Sequence, residues 1–202
     1  MATYSLVHGA WHGGWAWDRL RAELESHGNV VHAPDLPCDD PDAGIDDYAA
    51  VVPPADVVVG HSLGGLTIAL FATKRVFVCA LVPTLSSSDA FVEGFGDARV
   101  RDELGRSYYP DADDAVRDLQ YPDGDASLAA RLRPQAPLAS EQFLAAPSLY
   151  VVCTEDRAVD PAWQRRAAAA IDADVVELDA GHSPMLTHAR ELADILERYA
   201  AS

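Results

Sequence analysis

The sequence Gly60-His61-Ser62-Leu63-Gly64-Gly65 joins a valine-rich segment, residues 55–59, to a segment with helical apolar spacing, residues 63–74. A serine flanked by glycines at a strand-to-helix junction is typical of a turn too tight for larger side chains. Such a turn strains the backbone of the serine and exposes its hydroxyl oxygen. The helix that follows directs its first amide groups toward any negative charge that develops there. We therefore predict that Ser62 is a nucleophile.

Strand-like and helix-like segments alternate on both sides of this turn. Repeated alternation of apolar strands and helices is typical of an α/β protein, with a mostly parallel sheet and helices on both faces. We expect six strands, in residues 3–7, 29–33, 55–59, 76–82, 148–153 and 174–178. We expect the main helices in residues 15–26, 45–51, 63–74, 161–171 and 184–200.

The alternation stops between the fourth and fifth predicted strands, where residues 84–146 are polar and contain several prolines and glycines. Sites in such sheets lie at the carboxyl ends of the strands, so an insertion after a strand is placed to cover the site. We therefore expect residues 1–202 to form one α/β domain, with residues 84–146 as a small cap.

A serine hydroxyl is a weak nucleophile at neutral pH and needs a general base. Of the seven histidines, His182 is the one in a predicted turn between a late strand and the last helix. This position agrees with the chain order of serine, acid and histidine in folds that use such a turn. His61 adjoins the nucleophile, and we interpret it as a support of the turn.

The base in turn needs a carboxylate that fixes its tautomer and stabilises its cation. Asp156 follows the strand that precedes the histidine-bearing one, and we assign it this role. Glu155 and Asp160 are the nearest alternatives, and Asp89 is a more distant one.

The oxygen anion that forms in acyl transfer needs two amide donors. We expect one from Leu63, the residue after the nucleophile, and assign the other to Ala10, in the glycine-rich loop after the first strand. Gly9 and Trp11 flank Ala10 and are candidate substrate-binding residues. Trp11 could equally serve in packing alone.

The composition limits the partners of this protein. Its 32 acidic and 15 basic residues give a net charge of −17, which disfavours nucleic acids and anionic membrane surfaces.

The three cysteines are far apart, which predicts neither a disulfide framework nor a paired-cysteine metal site. No apolar run approaches the ~20 residues of a membrane span, and no secretory signal is visible. We expect a cytoplasmic protein whose partner is a small molecule, and a homodimer remains open.

Several motifs together resemble the plant methylesterase and hydroxynitrile lyase family of the α/β-hydrolase superfamily. That family includes the salicylate-binding methylesterases and has bacterial relatives, and the sequence resembles a bacterial member with a shortened cap. The resemblance covers residues 1–82 and 147–202. It rests on the turn at residues 60–65, on Val152-Cys153-Thr154-Glu155-Asp156, on Gly181-His182 and on His8-Gly9-Ala10-Trp11-His12-Gly13-Gly14-Trp15-Ala16-Trp17.

The resemblance implies an α/β-hydrolase fold and a catalytic triad that uses no cofactor and no metal. The triad maps onto Ser62, Asp156 and His182, and the oxyanion donors map onto Ala10 and Leu63.

The family contains two chemistries, and two positions separate them. Its lyases carry a threonine and a lysine at the places held here by Gly9 and Ser183. Because the lysine steadies the leaving cyanide, its absence disfavours lyase activity. We expect a serine hydrolase that cleaves a small carboxylic ester through an acyl-enzyme intermediate. Non-catalytic binding of a small ligand and hydroxynitrile lyase-like activity remain the alternatives.

Overall fold

A computed structural model describes residues 1–202. Its strands are β1 (Thr3–Val7), β2 (Val30–His32), β3 (Val57–His61), β4 (Lys74–Val78), β5 (Val100–Arg101), β6 (Ser107–Tyr108), β7 (Ser148–Cys153) and β8 (Asp174–Leu178). Six of them form one parallel sheet in the order β2-β1-β3-β4-β7-β8, and β5 and β6 form a separate antiparallel pair. The predicted α/β fold with six main strands is confirmed.

The helices connect these strands and cover the sheet. They are α1 (Asp18–Ser26), α2 (Ile45–Ala50), α3 (Gly64–Ile68), α4 (Ala112–Leu119), α5 (Ala126–Ala129), α6 (Pro161–Ala170), α7 (Pro184–Thr187) and α8 (Ala189–Ala201). Short 3-10 helices occupy Gly14–Trp17 and Pro122–Gly124. The segment between β4 and β7, predicted as a cap, therefore contains β5, β6, α4 and α5.

Two predicted helices were wrong in extent. Helix α3 ends at Ile68 rather than at residue 74, and β4 spans Lys74–Val78 rather than residues 76–82. Arg75 explains this early end. Its buried guanidinium donates one hydrogen bond to the Ala69 carbonyl at 3.1 Å and another to the hydroxyl of Ser148 on β7, which fixes Ala69 beside that strand. The last predicted helix is two helices, because the non-helical backbone of His188, with φ −131°, separates α7 from α8.

The sheet separates two hydrophobic cores, because successive side chains of a strand point to opposite faces. On β3, Val57 and Val59 pack into one core and Val58 into the other. Helices α1 and α8 cover the first face, and α2, α3 and α6 cover the second. The predicted arrangement, with helices on both faces, is confirmed.

The turn between β3 and α3 is bound tightly to the end of β4. Ser62 has a left-handed backbone with φ 52°. Its carbonyl accepts hydrogen bonds from the amides of Gly65 (3.1 Å) and Leu81 (2.9 Å), and its own amide donates to the Val78 carbonyl (3.2 Å). A Cβ atom on Gly65 would lie 2.1 Å from the Leu81 carbonyl oxygen, so this close approach requires glycine.

Cys38, Cys79 and Cys153 are all buried, and each carries a free thiol. No helix combines the length and the apolar character that crossing a bilayer requires.

Substitution of Gly65→Ala should lower the free energy of unfolding by about 3 kcal/mol, because a backbone carbonyl cannot move aside as a flexible side chain can. Urea denaturation of the wild-type and variant proteins measures this change. The matched control is Gly44→Ala, whose added Cβ would meet only the Asp47 carboxylate, at 3.8 Å. We expect the control to lose less than about 1 kcal/mol, and equal losses in the two variants would contradict the steric explanation.

Candidate active site

Three predicted residues from three separate loops form one hydrogen-bonded series. The Oγ of Ser62 lies 3.2 Å from Nε2 of His182, and Nδ1 of His182 lies 2.9 Å from Oδ2 of Asp156. Because an ionised carboxylate only accepts hydrogen bonds, the ring proton belongs on Nδ1, which leaves Nε2 to accept from the serine hydroxyl. All three residues are buried. This arrangement suits a nucleophile, its base and an orienting acid.

The Asp156 carboxylate is held by four N–H donors. The amides of Ala158 and Val159 bind Oδ1 at 2.7 and 3.0 Å, and Nε2 of Gln164 binds Oδ2 at 3.0 Å, beside the His182 ring. Gln164 lies on α6 and is fully buried. The sequence reasoning missed Gln164, since no spacing rule links a glutamine on the following helix to this carboxylate.

The alternative acids lie elsewhere. Glu155 is exposed, and Asp160 caps the N-terminus of α6. Asp89 forms an exposed ion pair with Arg166 at 2.7 Å. None of the three carboxylates is hydrogen-bonded to the His182 ring.

His61 joins the turn at Ser62 to the loop that carries His182. Its Nε2 lies 2.7 Å from the carbonyl oxygen of His182, to which it donates a hydrogen bond. Burial, with the nearby His182 and His12 rings, holds the pKa of His61 well below its usual range, so the ring stays neutral. The support that we inferred for the turn therefore extends to the loop that carries His182.

The two predicted oxyanion donors flank the serine. Ala10 and Leu63 line the same cavity as Ser62, and their backbone N–H groups donate to no acceptor within the protein. Gly9 does not line this cavity. A Cβ on Gly9 would lie 2.9 Å from the Cβ of Ser62, so Gly9 is the close-contact point that brings the first loop against the serine.

The cavity above Ser62 has a volume of about 150 Å³. Trp11, Phe91 and Phe95 contribute aromatic walls. The Trp11 indole N–H donates to the carbonyl and hydroxyl of Ser107 on β6, both at 3.1 Å, so the segment between β4 and β7 fixes one wall. A cavity of this size holds a group comparable to benzene.

One group of potential metal ligands, His61, Cys79 and His182, has its ligand atoms within 4.8 Å of one another. Both ring nitrogens of His182 are occupied by Asp156 and Ser62, and Nε2 of His61 is occupied by the His182 carbonyl. These hydrogen bonds compete with any metal, so the arrangement fits proton transfer better than coordination.

The chain matches the model of the alpha/beta hydrolase family over residues 6–195. It belongs to that family. The resemblance to the plant methylesterases that the motifs predicted is confirmed as well. Methylesterase 3 of Arabidopsis thaliana is 36% identical over 115 residues, which are 43% of this chain and 42% of that protein, so this match spans less than half of the relative. Salicylic acid-binding protein 2 of Nicotiana tabacum is 27% identical over 213 residues, covering 80% of this chain and 82% of that protein.

Among solved structures, a pyrethroid hydrolase from Sphingobium faniae superposes with a TM-score of 0.81. The two sequences are 21% identical, and the superposition covers 99% of this chain and 97% of that one. At 21% identity, this similarity shows the α/β-hydrolase fold alone.

Two further histidines of this α/β-hydrolase support the loop after β1. The Nε2 of His8 accepts the backbone N–H of Leu36 at 3.0 Å, and the Nε2 of His12 accepts the hydroxyl of Tyr121 at 2.9 Å. Each Nδ1 donates to a carbonyl of the loop itself. Burial lowers the pKa of His8 to about 4 and that of His12 to about 3. The sequence reasoning missed this role, since both contacts come from distant segments.

Acidification should therefore destabilise the protein. An unfolded histidine binds a proton below a pKa of about 6.5, whereas folded His8 and His12 stay neutral until about pH 4 and 3. Between those limits the unfolded chain holds more protons, so each histidine lowers the free energy of unfolding by up to about 1.4 kcal/mol per pH unit of acidification. Urea denaturation from about pH 7 to about pH 5 measures the slope. A His12→Gln variant should show a shallower slope, and an unchanged slope would count against this explanation.

Proposed function

We propose that this α/β-hydrolase is a serine esterase that cleaves small carboxylic esters. The observation that carries the proposal is the series of hydrogen bonds from Ser62 through His182 to Asp156, beside a cavity of about 150 Å³. Similar proteins named methylesterases and a pyrethroid hydrolase support ester hydrolysis as the reaction.

In the first half of the reaction, Oγ of Ser62 attacks the ester carbonyl while Nε2 of His182 takes the hydroxyl proton. Asp156 keeps the imidazole in the required tautomer and stabilises its cation. The amides of Ala10 and Leu63 bind the oxygen anion, and no reorganisation is needed because both already line the cavity beside the serine.

In the second half, the protonated His182 gives its proton to the leaving alcohol, which leaves an acyl group on Ser62. A water molecule then loses a proton to the neutral His182 and attacks the acyl carbonyl. Collapse of this second intermediate returns the proton to Ser62 and releases the acid. The same base thus serves both halves.

The volume of the cavity favours a small acyl group. Trp11 forms a wall of this cavity, as expected for a substrate-binding residue. Gly9 contributes through its close approach to Ser62, which sets the position of the Ala10 amide.

The residue after the catalytic histidine favours esterase over lyase chemistry. Ser183 is fully buried, and its hydroxyl donates to the Leu119 carbonyl at 2.7 Å. Its side chain therefore supplies no cation to steady a leaving cyanide.

Substitution of Ser62→Ala should lower the turnover of p-nitrophenyl acetate and butyrate on the order of a thousandfold or more, because the covalent route is lost. The measurement is release of p-nitrophenol under steady-state conditions. Ser26→Ala is the matched control, because Ser26 is exposed at the end of α1, and it should retain the wild-type rate. Wild-type turnover no higher than that of Ser62→Ala, in a folded protein, would overturn the esterase proposal and favour a ligand-binding role.

A further inference from the structure

The charged residues that line the cavity are positive, whereas the net charge of the protein is negative. The chain has a net charge of −17. Yet the charged residues that line the cavity above Ser62 are Arg99 and Arg101, and no carboxylate lines it. Neither arginine forms an ion pair with a carboxylate of the protein. Two positive charges therefore face the cavity without a counterion from the chain.

Arg99 is held in place by aromatic rings. Its guanidinium carbon lies 4.9 Å from the ring centre of Trp11 and 5.1 Å from that of Phe95. Its Nε donates to the Gly96 carbonyl at 3.0 Å. Cation–π contacts and this hydrogen bond orient the guanidinium, and its terminal N–H groups make no hydrogen bond within the protein.

Phe95 lies next to both Arg99 and His182. The Phe95 ring lies 6.2 Å from the His182 ring, so the guanidinium and the imidazole contact the same phenyl group. A substrate whose ester carbonyl lies at Ser62 can therefore extend past Phe95 toward Arg99, since all three residues line one cavity.

We propose that Arg99, assisted by Arg101, binds a carboxylate in the acyl part of the substrate, so that the preferred esters are half-esters of dicarboxylic acids. This substrate class rests on the esterase function proposed above. A guanidinium matches the two oxygens of a carboxylate. The repulsion from distant acidic residues is screened beyond about 8 Å at physiological ionic strength, whereas the nearby arginines act in full.

The test compares two methyl esters that differ only in charge, monomethyl adipate and the ester in which a carbamoyl group replaces its free carboxylate. We expect kcat/KM, measured by methanol release, to be about tenfold higher for the anionic ester, the gain typical of a charge-assisted hydrogen bond. Added salt should reduce this ratio.

Arg99→Gln should bring the ratio of the two kcat/KM values close to one, and Arg99→Lys should retain most of the preference, because it keeps the charge without the planar group. Arg198→Gln removes the same charge from the exposed end of α8 and should leave the ratio at its wild-type value. A wild-type ratio near one, or an unchanged ratio in Arg99→Gln, would refute the proposal. Turnover of p-nitrophenyl butyrate in the same preparations tests the esterase function separately, since that ester is neutral.

Gln120 is the C-cap residue of α4, and its side chain bridges two loops of the site. Its Oε1 accepts the backbone N–H of His182 at 3.0 Å and that of Arg157 at 2.7 Å. Its Nε2 donates to the Glu155 carbonyl at 3.0 Å. One side-chain amide thus joins the residues on both sides of Asp156 to the backbone of His182.

With this contact, side chains hold both backbone polar groups of His182. Gln120 binds the amide, and His61 binds the carbonyl from the nucleophile turn. We infer that Gln120 is a positioning residue, through which the segment between β4 and β7 sets the orientation of His182 toward Ser62. Errors of about 1 Å in such an orientation can lower a catalytic rate greatly.

Substitution of Gln120→Met removes the three hydrogen bonds while it keeps the length of the side chain. We expect kcat for p-nitrophenyl butyrate to fall about tenfold, with KM within about twofold of wild type, because the lost interaction orients the base and does not contact the substrate. Gln120→Asn should behave alike, since asparagine tolerates the left-handed backbone at this position, φ 51°, but is one methylene too short to bridge the loops.

Gln142→Met is the matched control, because Gln142 is exposed and its side chain makes no hydrogen bond. It should keep the wild-type kcat. An unchanged kcat in folded Gln120→Asn, or a rise in KM alone, would refute the positioning role.

Discussion

The left-handed backbone of Ser62 is the constraint on which the site depends. Its carbonyl is bound by the amides of Gly65 and Leu81, so the turn, the start of α3 and the chain beyond β4 form one rigid unit. That unit directs the serine hydroxyl toward the cavity and leaves the Leu63 amide without a protein acceptor beside it. The strain costs of order 1–3 kcal/mol, which the packing on both faces of the sheet offsets.

Buried neutral histidines hold the other loops of the site in place through hydrogen bonds. His61 reaches the loop of His182, while His8 and His12 brace the loop after β1. A charged ring in these places would be desolvated, and burial accordingly lowers the pKa of all three. His182 thus lies near His61 and His12, whose neutral rings hold hydrogen bonds of their own.

The apolar runs of the central strands made the sheet predictable, since burial on both faces demands such runs. The ends of helices were less predictable. The early end of α3 depends on Arg75, which also binds Ser148 on a neighbouring strand, and no local pattern reports that contact. The break between α7 and α8 was also missed, because the apolar spacing of a helix continues through His188 although its backbone is not helical.

The sequence by itself predicted Ser62 as the nucleophile, the order of serine, acid and histidine along the chain, and the number of strands in the main sheet, because each depends on local turn geometry or on regular spacing. Only the tertiary structure decided that Asp156, among four candidate acids, reaches His182. It alone placed Gln120 between two loops and Arg99 on the wall of the cavity. These contacts join residues far apart in the chain, and their existence depends on how the whole sheet and its insertion pack.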